Sequence, residues 1–198
     1  MTAAFAINRT CAPHLPLDAV LGLARAAGVA AIEIRNDLPG QEFMDGTPAQ
    51  SVRERLDRAG MAVASVNALQ RFNHWTPDRE AEARALIAYA AALDAPGLVL
   101  CPVIDESHGW AEGDLARQLR ASLRALRPIL LDHGVTGYVE PLGMRGSTLT
   151  RQAIAVEAIG DADAWDAFAL CHDTFQFFRC GDDRMYPEHV GQIGRAHV

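Results

Sequence analysis

Apolar runs of strand length alternate with amphipathic stretches of helix length from one end of the chain to the other. The pattern predicts strands over 3–8, 29–35, 61–67, 98–101, 135–140 and 167–173. Between them it predicts helices over 15–27, 48–59, 77–93, 114–133 and 149–159. Gly28 and Gly60 close the first two helices, and Thr76-Pro77 opens the third with Asp78 and Glu80 in its first turn. In the fourth, Leu115, Leu119, Leu123, Leu126 and Leu130 share one face. No linker, low-complexity segment or composition shift marks a second domain.

Six β/α units alternating in this way define an α/β chain with a parallel sheet. Two architectures suit it. A closed (β/α)8 barrel needs about 250 residues, and at 198 residues the chain is about two units short. A doubly wound open sheet is complete at this length, but it calls for a glycine-rich phosphate turn after an early strand. The first strand instead runs into Asn8-Arg9-Thr10-Cys11-Ala12-Pro13.

Composition narrows the function classes. A hydrophobic content of 49% supports one substantial core, and a net charge of -7 disfavours nucleic-acid and anionic-membrane partners. All 18 basic residues are Arg, which removes Schiff-base and Walker-type lysine chemistry. Cys11, Cys101, Cys171 and Cys180 lack metal-ligand spacing and read as free thiols, with Cys101 and Cys171 as buried structural ones. No signal-peptide pattern or membrane-length apolar run is present, so a cytoplasmic protein is expected.

The chemistry gathers where the strands end. In order these ends offer Asn8, Glu33 and Arg35, Asn67, Cys101, Glu140 and Asp173. Polar residues at the same end of several parallel strands point into the mouth of a barrel, where hard cations and sugar oxygens are held. Glu140 and Asp173 form the centre of this set, as a two-carboxylate site. The other reading of that pair is two helix-capping or salt-bridged carboxylates.

These residues resemble the sugar isomerase and epimerase superfamily of xylose-isomerase-like barrels, most closely its inosose (2-keto-myo-inositol) isomerase branch. The resemblance runs from Phe5-Ala6-Ile7-Asn8 through Ile32-Glu33-Ile34-Arg35, Val66-Asn67-Ala68-Leu69 and Val139-Glu140-Pro141-Leu142-Gly143 to His172-Asp173-Thr174-Phe175. It implies a (β/α)8 TIM barrel with a divalent cation (Mn, Mg, Co or Zn) held by a Glu on strand five, an Asp on strand six, a His on strand seven and a Glu on strand eight. Glu140 and Asp173 fall on the first two positions. The implied reaction is an enediolate proton transfer on a keto-sugar or keto-cyclitol, with Glu140 as ligand and as one acid/base group. Asn8, Arg35 and Asn67 match positions near the family's pocket and are expected to hydrogen-bond sugar hydroxyls. For Arg35 a rim salt bridge is the equal alternative.

Two departures qualify the resemblance. Many relatives carry a His three residues after the strand-six Asp, where this chain has Gln176, which orients substrate but does not titrate. His172 is expected to face away from the barrel interior by strand alternation. The chain also stops before a strand-seven ligand. Ile193-Gly194-Arg195-Ala196-His197-Val198 resembles a translated sequencing adapter. The expectation is therefore a single incomplete TIM-barrel domain over 1–191, a non-native tail over 192–198, and open edges on strands one and six. In that form metal binding is weak and activity nearly absent. His189 is expected to cap a short helix before the absent strand and, like His197, not to ligate metal.

Three functions follow from different classes. The first is the isomerase or epimerase, with a small-molecule substrate, no nucleic acid or membrane partner, and a homo-oligomer allowed. The second is a metal-dependent hydrolase of the endonuclease branch of the same barrels, and the third an inactive fragment or binding module.

Overall fold

The computed structural model of the protein describes residues 5–38 and 43–194. Seven strands form one parallel sheet: β1 (Ile7–Asn8), β2 (Ala31–Arg35), β3 (Ala62–Leu69), β4 (Gly97–Leu100), β5 (Thr136–Val139), β6 (Phe168–Asp173) and β7 (Val190–Gly194). Each pairs with its sequence neighbours in strict order. A doubly wound sheet would reverse that order at a switch point, so the wall is that of an incomplete TIM barrel.

The connecting helices are α1 (Leu17–Ala26), α2 (Ala49–Ala59), α3 (Pro77–Ala92), α4 (Glu112–His133), α5 (Gln152–Asp161) and α6 (Thr174–Cys180). Their ends follow local chemistry. Thr76 accepts the backbone N–H of Arg79 at the start of α3, and Gly60 and Gly134 adopt φ of 65° and 64° to end α2 and α4. Among the described residues no helix is long and apolar enough to cross a membrane.

Strand alternation divides the side chains into two layers. Ile32, Ile34, Val66, Leu98, Leu100, Val139, Phe168 and Leu170 pack outward with Leu17, Leu21, Leu86, Leu123 and Leu126 of the helices. A smaller inner cluster holds Val99, Cys101, Tyr138 and Cys171. Large and small residues are matched there: a Cβ on Gly97 would sit 2.1 Å from the Tyr138 ring, and one on Gly191 would sit 2.6 Å from it.

The structure corrects the sequence reading at its end. A seventh strand is present, pairing Cys171 with Gln192, His172 with Ile193 and Asp173 with Gly194. The open edges are therefore those of β1 and β7, rather than strands one and six. Val-Gly-Gln-Ile-Gly carries little intrinsic strand signal, and the exposed edge of β6 organises it. This pairing takes in the first residues of the segment read as a tail, while 195–198, His197 included, lie outside the described residues. So does the start of the strand expected over 3–8. His189 lies in the last turn of a short 3-10 helix (Pro187–His189) that leads into β7, with Val190 as its C-cap, and its ring stacks on Trp165 at 3.8 Å between centroids.

Candidate active site

The carboxyl ends of the strands open into a cavity of about 200 Å³. Asn8, Glu33, Arg35, Asn67, Cys101, Glu140, Cys171, Asp173 and Gln176 line it, with Gln70, Ile104, Leu142 and Met144 at its rim. All six residues expected from the sequence to serve the site are thus brought together. Strand alternation explains the gathering, because Ile32 and Ile34 face the helices while Glu33 and Arg35 face inward.

Asp173 has two jobs in this geometry. Its Oδ1 accepts the backbone N–H groups of Phe175 and Gln176 at 2.8 and 2.9 Å, capping α6 and fixing the carboxylate at the end of β6. The capping alternative is realised for this residue, and it still lines the cavity. Glu140 neither caps a helix nor shares an ion pair among the described residues. Its Oε2 accepts the Cys101 thiol at 3.4 Å. Burial raises its pKa to about 7, with the nearby charge of Asp173 adding to the shift.

The other wall residues are held in place by neighbours. Asn67 donates from Nδ2 to Glu33 Oε1 at 2.7 Å. Arg35 lines the cavity and also forms a two-point ion pair with Asp37, at 2.9 Å from Nε and 2.6 Å from NH2. The rim salt bridge, the alternative expected for Arg35, is thus present in a residue that lines the cavity. Asn8 Oδ1 accepts the N–H and hydroxyl of Thr10, which starts a short 3-10 turn (Arg9–Cys11). The Asn67–Ala68 peptide is cis. Asn36 clasps Ala68 beside it, donating from Nδ2 to its carbonyl and accepting its N–H at 2.7 Å.

Several residues fall outside the cavity. His172 points to the outer face, 2.6 Å from Gln152 Nε2 and against the Phe177 ring, as alternation requires. Of the loop 70–75, only Gln70 reaches the cavity; Phe72 is core, and Asn73 is buried on Thr148 and Val103. Asp105 accepts from Ser107, Glu106 pairs with Arg145 and His108 accepts the Trp110 N–H, so the long loop is folded on itself.

Glu33, Cys101 and Cys171 are cavity residues that the sequence reading did not carry into its site. Cys101 and Cys171 were expected to be structural; both are buried, but their inward register places them on the cavity wall. The signal was the alternation of β4 and β6, in which Leu98, Leu100 and Leu170 face out.

The donor set fits a hard divalent cation in kind. Burial and the nearby Asp173 raise the cost of ionising Glu140, and positive charge between the two buried carboxylates would offset it. In number it is short, because no group of three or more His, Cys, Asp and Glu is placed to hold a metal among the described residues. Glu140 and Asp173 fit as two ligands of a larger set.

Gly143 sets how closely the β5–α5 loop approaches α6. A Cβ there would lie 2.5 Å from the Gln176 carbonyl oxygen and 2.7 Å from the Cys180 nitrogen, both backbone atoms. Gly143→Ala is expected to push α6 outward, destabilise the chain by about 1–3 kcal/mol and displace Gln176. Urea denaturation measures the first effect.

Comparison with known proteins gives a consistent set of relatives. A family profile described as "Xylose isomerase-like TIM barrel" matches residues 21–198. A xylose isomerase domain-containing protein from Salmonella typhimurium LT2 is 26% identical, covering 94% of this chain and 68% of that one, with a TM-score of 0.84. The IolI protein with a bound zinc atom is 20% identical, covering 91% and 66%, with a TM-score of 0.81. An E. coli 3-keto-D-glucoside 4-epimerase is 14% identical, covering 99% and 80%, with a TM-score of 0.77. The last two speak for the fold alone. The chain spans about two thirds of the length of the first two. No curated protein matches it.

Proposed function

Since the chain belongs to the xylose isomerase-like TIM barrel family, we propose that its cavity serves a metal-dependent isomerase or epimerase of a keto-sugar or keto-cyclitol. The observation that carries the reading is Glu140. It is a buried carboxylate with a pKa near 7, beside Asp173, in a cavity otherwise lined by neutral amides and thiols and the paired Glu33 and Arg35. A cation bound beside it would favour the ionised carboxylate, which is the form that takes a proton from a neighbouring C–H bond.

Glu140 and Asp173 would hold the divalent cation (Mn, Mg, Co or Zn) as part of its ligand set. When bound, such a cation supplies positive charge for the substrate's carbonyl oxygen and keeps Glu140 ionised. Glu140 then accepts the proton of the C–H bond next to the ketone. The electrons of that bond pass into an enediolate; protonating the former ketone carbon, while the hydroxyl proton of the first carbon moves to the former ketone oxygen, isomerises the substrate, whereas reprotonating the first carbon from the opposite face by a second acid epimerises it. Asn8, Arg35, Asn67 and Gln176 orient the substrate by hydrogen bonds to its hydroxyls. The acidic surface, at a net charge of -7, favours a small neutral substrate over a nucleic acid.

The test is wash-in of deuterium from D2O at the carbon beside the ketone, followed by NMR with 2-keto-myo-inositol and ketohexoses. The native protein is expected to exchange in the presence of MnCl2 and to stop with EDTA. Absence of exchange by the native protein with every substrate contradicts the reading.

A further inference from the structure

Three consecutive loops at the mouth of the cavity, 70–76 after β3, 101–111 after β4 and 140–151 after β5, each supply part of its rim. The first brings Gln70, the second Ile104, and the third Leu142 and Met144. Two buried side chains outside the cavity stitch these loops together. Asn73 is fully buried; its Oδ1 accepts the backbone N–H of Val103 at 2.9 Å, and its Nδ2 donates to Thr148 Oγ1 at 2.8 Å. Thr148 Oγ1 in turn donates to the Val103 carbonyl at 3.1 Å, and the Thr148 backbone N–H meets the same oxygen at 2.9 Å. The directions are fixed by chemistry. The Val103 N–H must face the amide oxygen of Asn73, which leaves Nδ2 for Thr148 and turns the hydroxyl hydrogen towards Val103.

This clasp sits directly beside the rim. Val103 precedes Ile104, and Ile104 forms an antiparallel bridge with Ser147, the neighbour of Thr148. The Asp105 N–H donates to the Gly146 carbonyl at 2.9 Å, and the loops run so close that a Cβ on Gly146 would lie 2.9 Å from the Glu106 nitrogen. Gln70 is drawn in between two further links, from the Cys101 N–H to Leu69 and from the Phe72 N–H to Cys101. A buried network of this kind holds its members in one arrangement, because breaking a link strands a buried polar group.

We propose that Asn73 and Thr148 are positioning residues for substrate binding. They hold the three loops as one preformed wall, and the substrate's carbon face rests on Ile104, Leu142 and Met144 of that wall while its carbonyl meets Glu140 and Asp173. The inference rests on the keto-polyol reading above and deepens it. A preformed wall spares the cost of ordering loops on binding, and its contacts persist unchanged from bound substrate to transition state. Loosening it therefore raises KM and leaves kcat in place.

Deuterium wash-in at a series of substrate concentrations tests this, with the native protein and MnCl2. Thr148→Val keeps the branched shape without the hydroxyl, and is expected to raise KM at least about tenfold. Its kcat and Mn²⁺ affinity are expected to change less than about twofold. Thr148→Ser keeps the hydroxyl and is expected to return KM to within about threefold of wild type. An unchanged KM in folded Thr148→Val, a serine variant as impaired as the valine one, or a loss confined to kcat or to Mn²⁺ affinity overturns the inference and leaves the keto-polyol reading standing. Should Thr148→Val not fold, amide hydrogen exchange of the wild-type protein decides. The Val103, Asp105 and Thr148 N–H groups are then expected to open as one unit and to gain protection together when substrate is added. Separate opening, or protection indifferent to substrate, overturns the inference. No wash-in by the wild-type protein with 2-keto-myo-inositol or any ketohexose overturns both.

Discussion

Glu140→Gln is expected to make the chain more stable at pH 8 while abolishing proton transfer. The carboxyl of Glu140 titrates near 7 in the fold and near 4.5 in the unfolded chain. Below about pH 4.5 both states are protonated, and the group contributes no difference. As pH rises through the window between the two values, the unfolded chain ionises first, so stability falls. Above about 7 both are ionised, and the full loss persists. The interval corresponds to about 3 kcal/mol, a large share of a single domain's stability. Glutamine keeps the shape and an acceptor for the Cys101 thiol but carries no charge, so that loss disappears. Urea midpoints measured without metal from pH 5 to 8 are expected to fall for the wild-type chain and to change less for Glu140→Gln. The same variant is expected to lose about 10²–10⁴-fold in exchange rate. Parallel pH profiles for the two proteins would contradict the assignment of the buried charge.

Asp173 separates two roles that one carboxylate combines. Asn at this position still caps α6 through its side-chain oxygen, whereas Ala does not. Asp173→Ala is expected to cost about 1 kcal/mol of stability and Asp173→Asn much less. Both are expected to weaken Mn²⁺ binding by more than about 100-fold, since loss of a direct ligand exceeds the usual cost of losing a ligand's supporting hydrogen bond. Both also lower the pKa of Glu140 by removing the neighbouring charge. Urea denaturation and Mn²⁺ titration of the two variants check these outcomes. If Asp173→Asn keeps the wild-type affinity, Asp173 is a cap and nothing more.

Much of this site was legible in the sequence, and the physical reason is periodicity. A strand whose outward positions are apolar leaves its inward positions visible, so Glu140 after Val139 and Asp173 at the end of β6 stand out without coordinates. Asn8, Arg35 and Asn67 were legible in the same way. What the sequence hid was pairing. The hydrogen bond between Asn67 and Glu33 joins residues 34 positions apart, and it depends on the register of β2 against β3, which sets Glu33 beside Ser65 and Arg35 beside Asn67 so that Glu33 and Asn67 meet diagonally. The contact of Cys101 with Glu140 likewise depends on the register of β4 against β5.

Two elements escaped for a different reason. The helix α6 spans seven residues, too few for a 3.6-residue period to declare itself. Its cap, Asp173, had already been read as a site residue. The strand β7 contains Gly191 and Gly194 in five residues and owes its form to the β6 edge and to the Tyr138 ring lying over Gly191. In both, tertiary contacts supply what local sequence lacks.

The central claim is that Glu140 and Asp173 act together on one divalent cation. Electron paramagnetic resonance of free Mn²⁺, titrated against the native protein, measures this directly. Wild-type protein is expected to deplete the free-ion signal, with Glu140→Gln, Asp173→Asn and the double variant each losing nearly all of that binding. The double variant should be little worse than either single one, because both ligands serve a single ion. Mn²⁺ binding that survives unchanged in the double variant would contradict the claim.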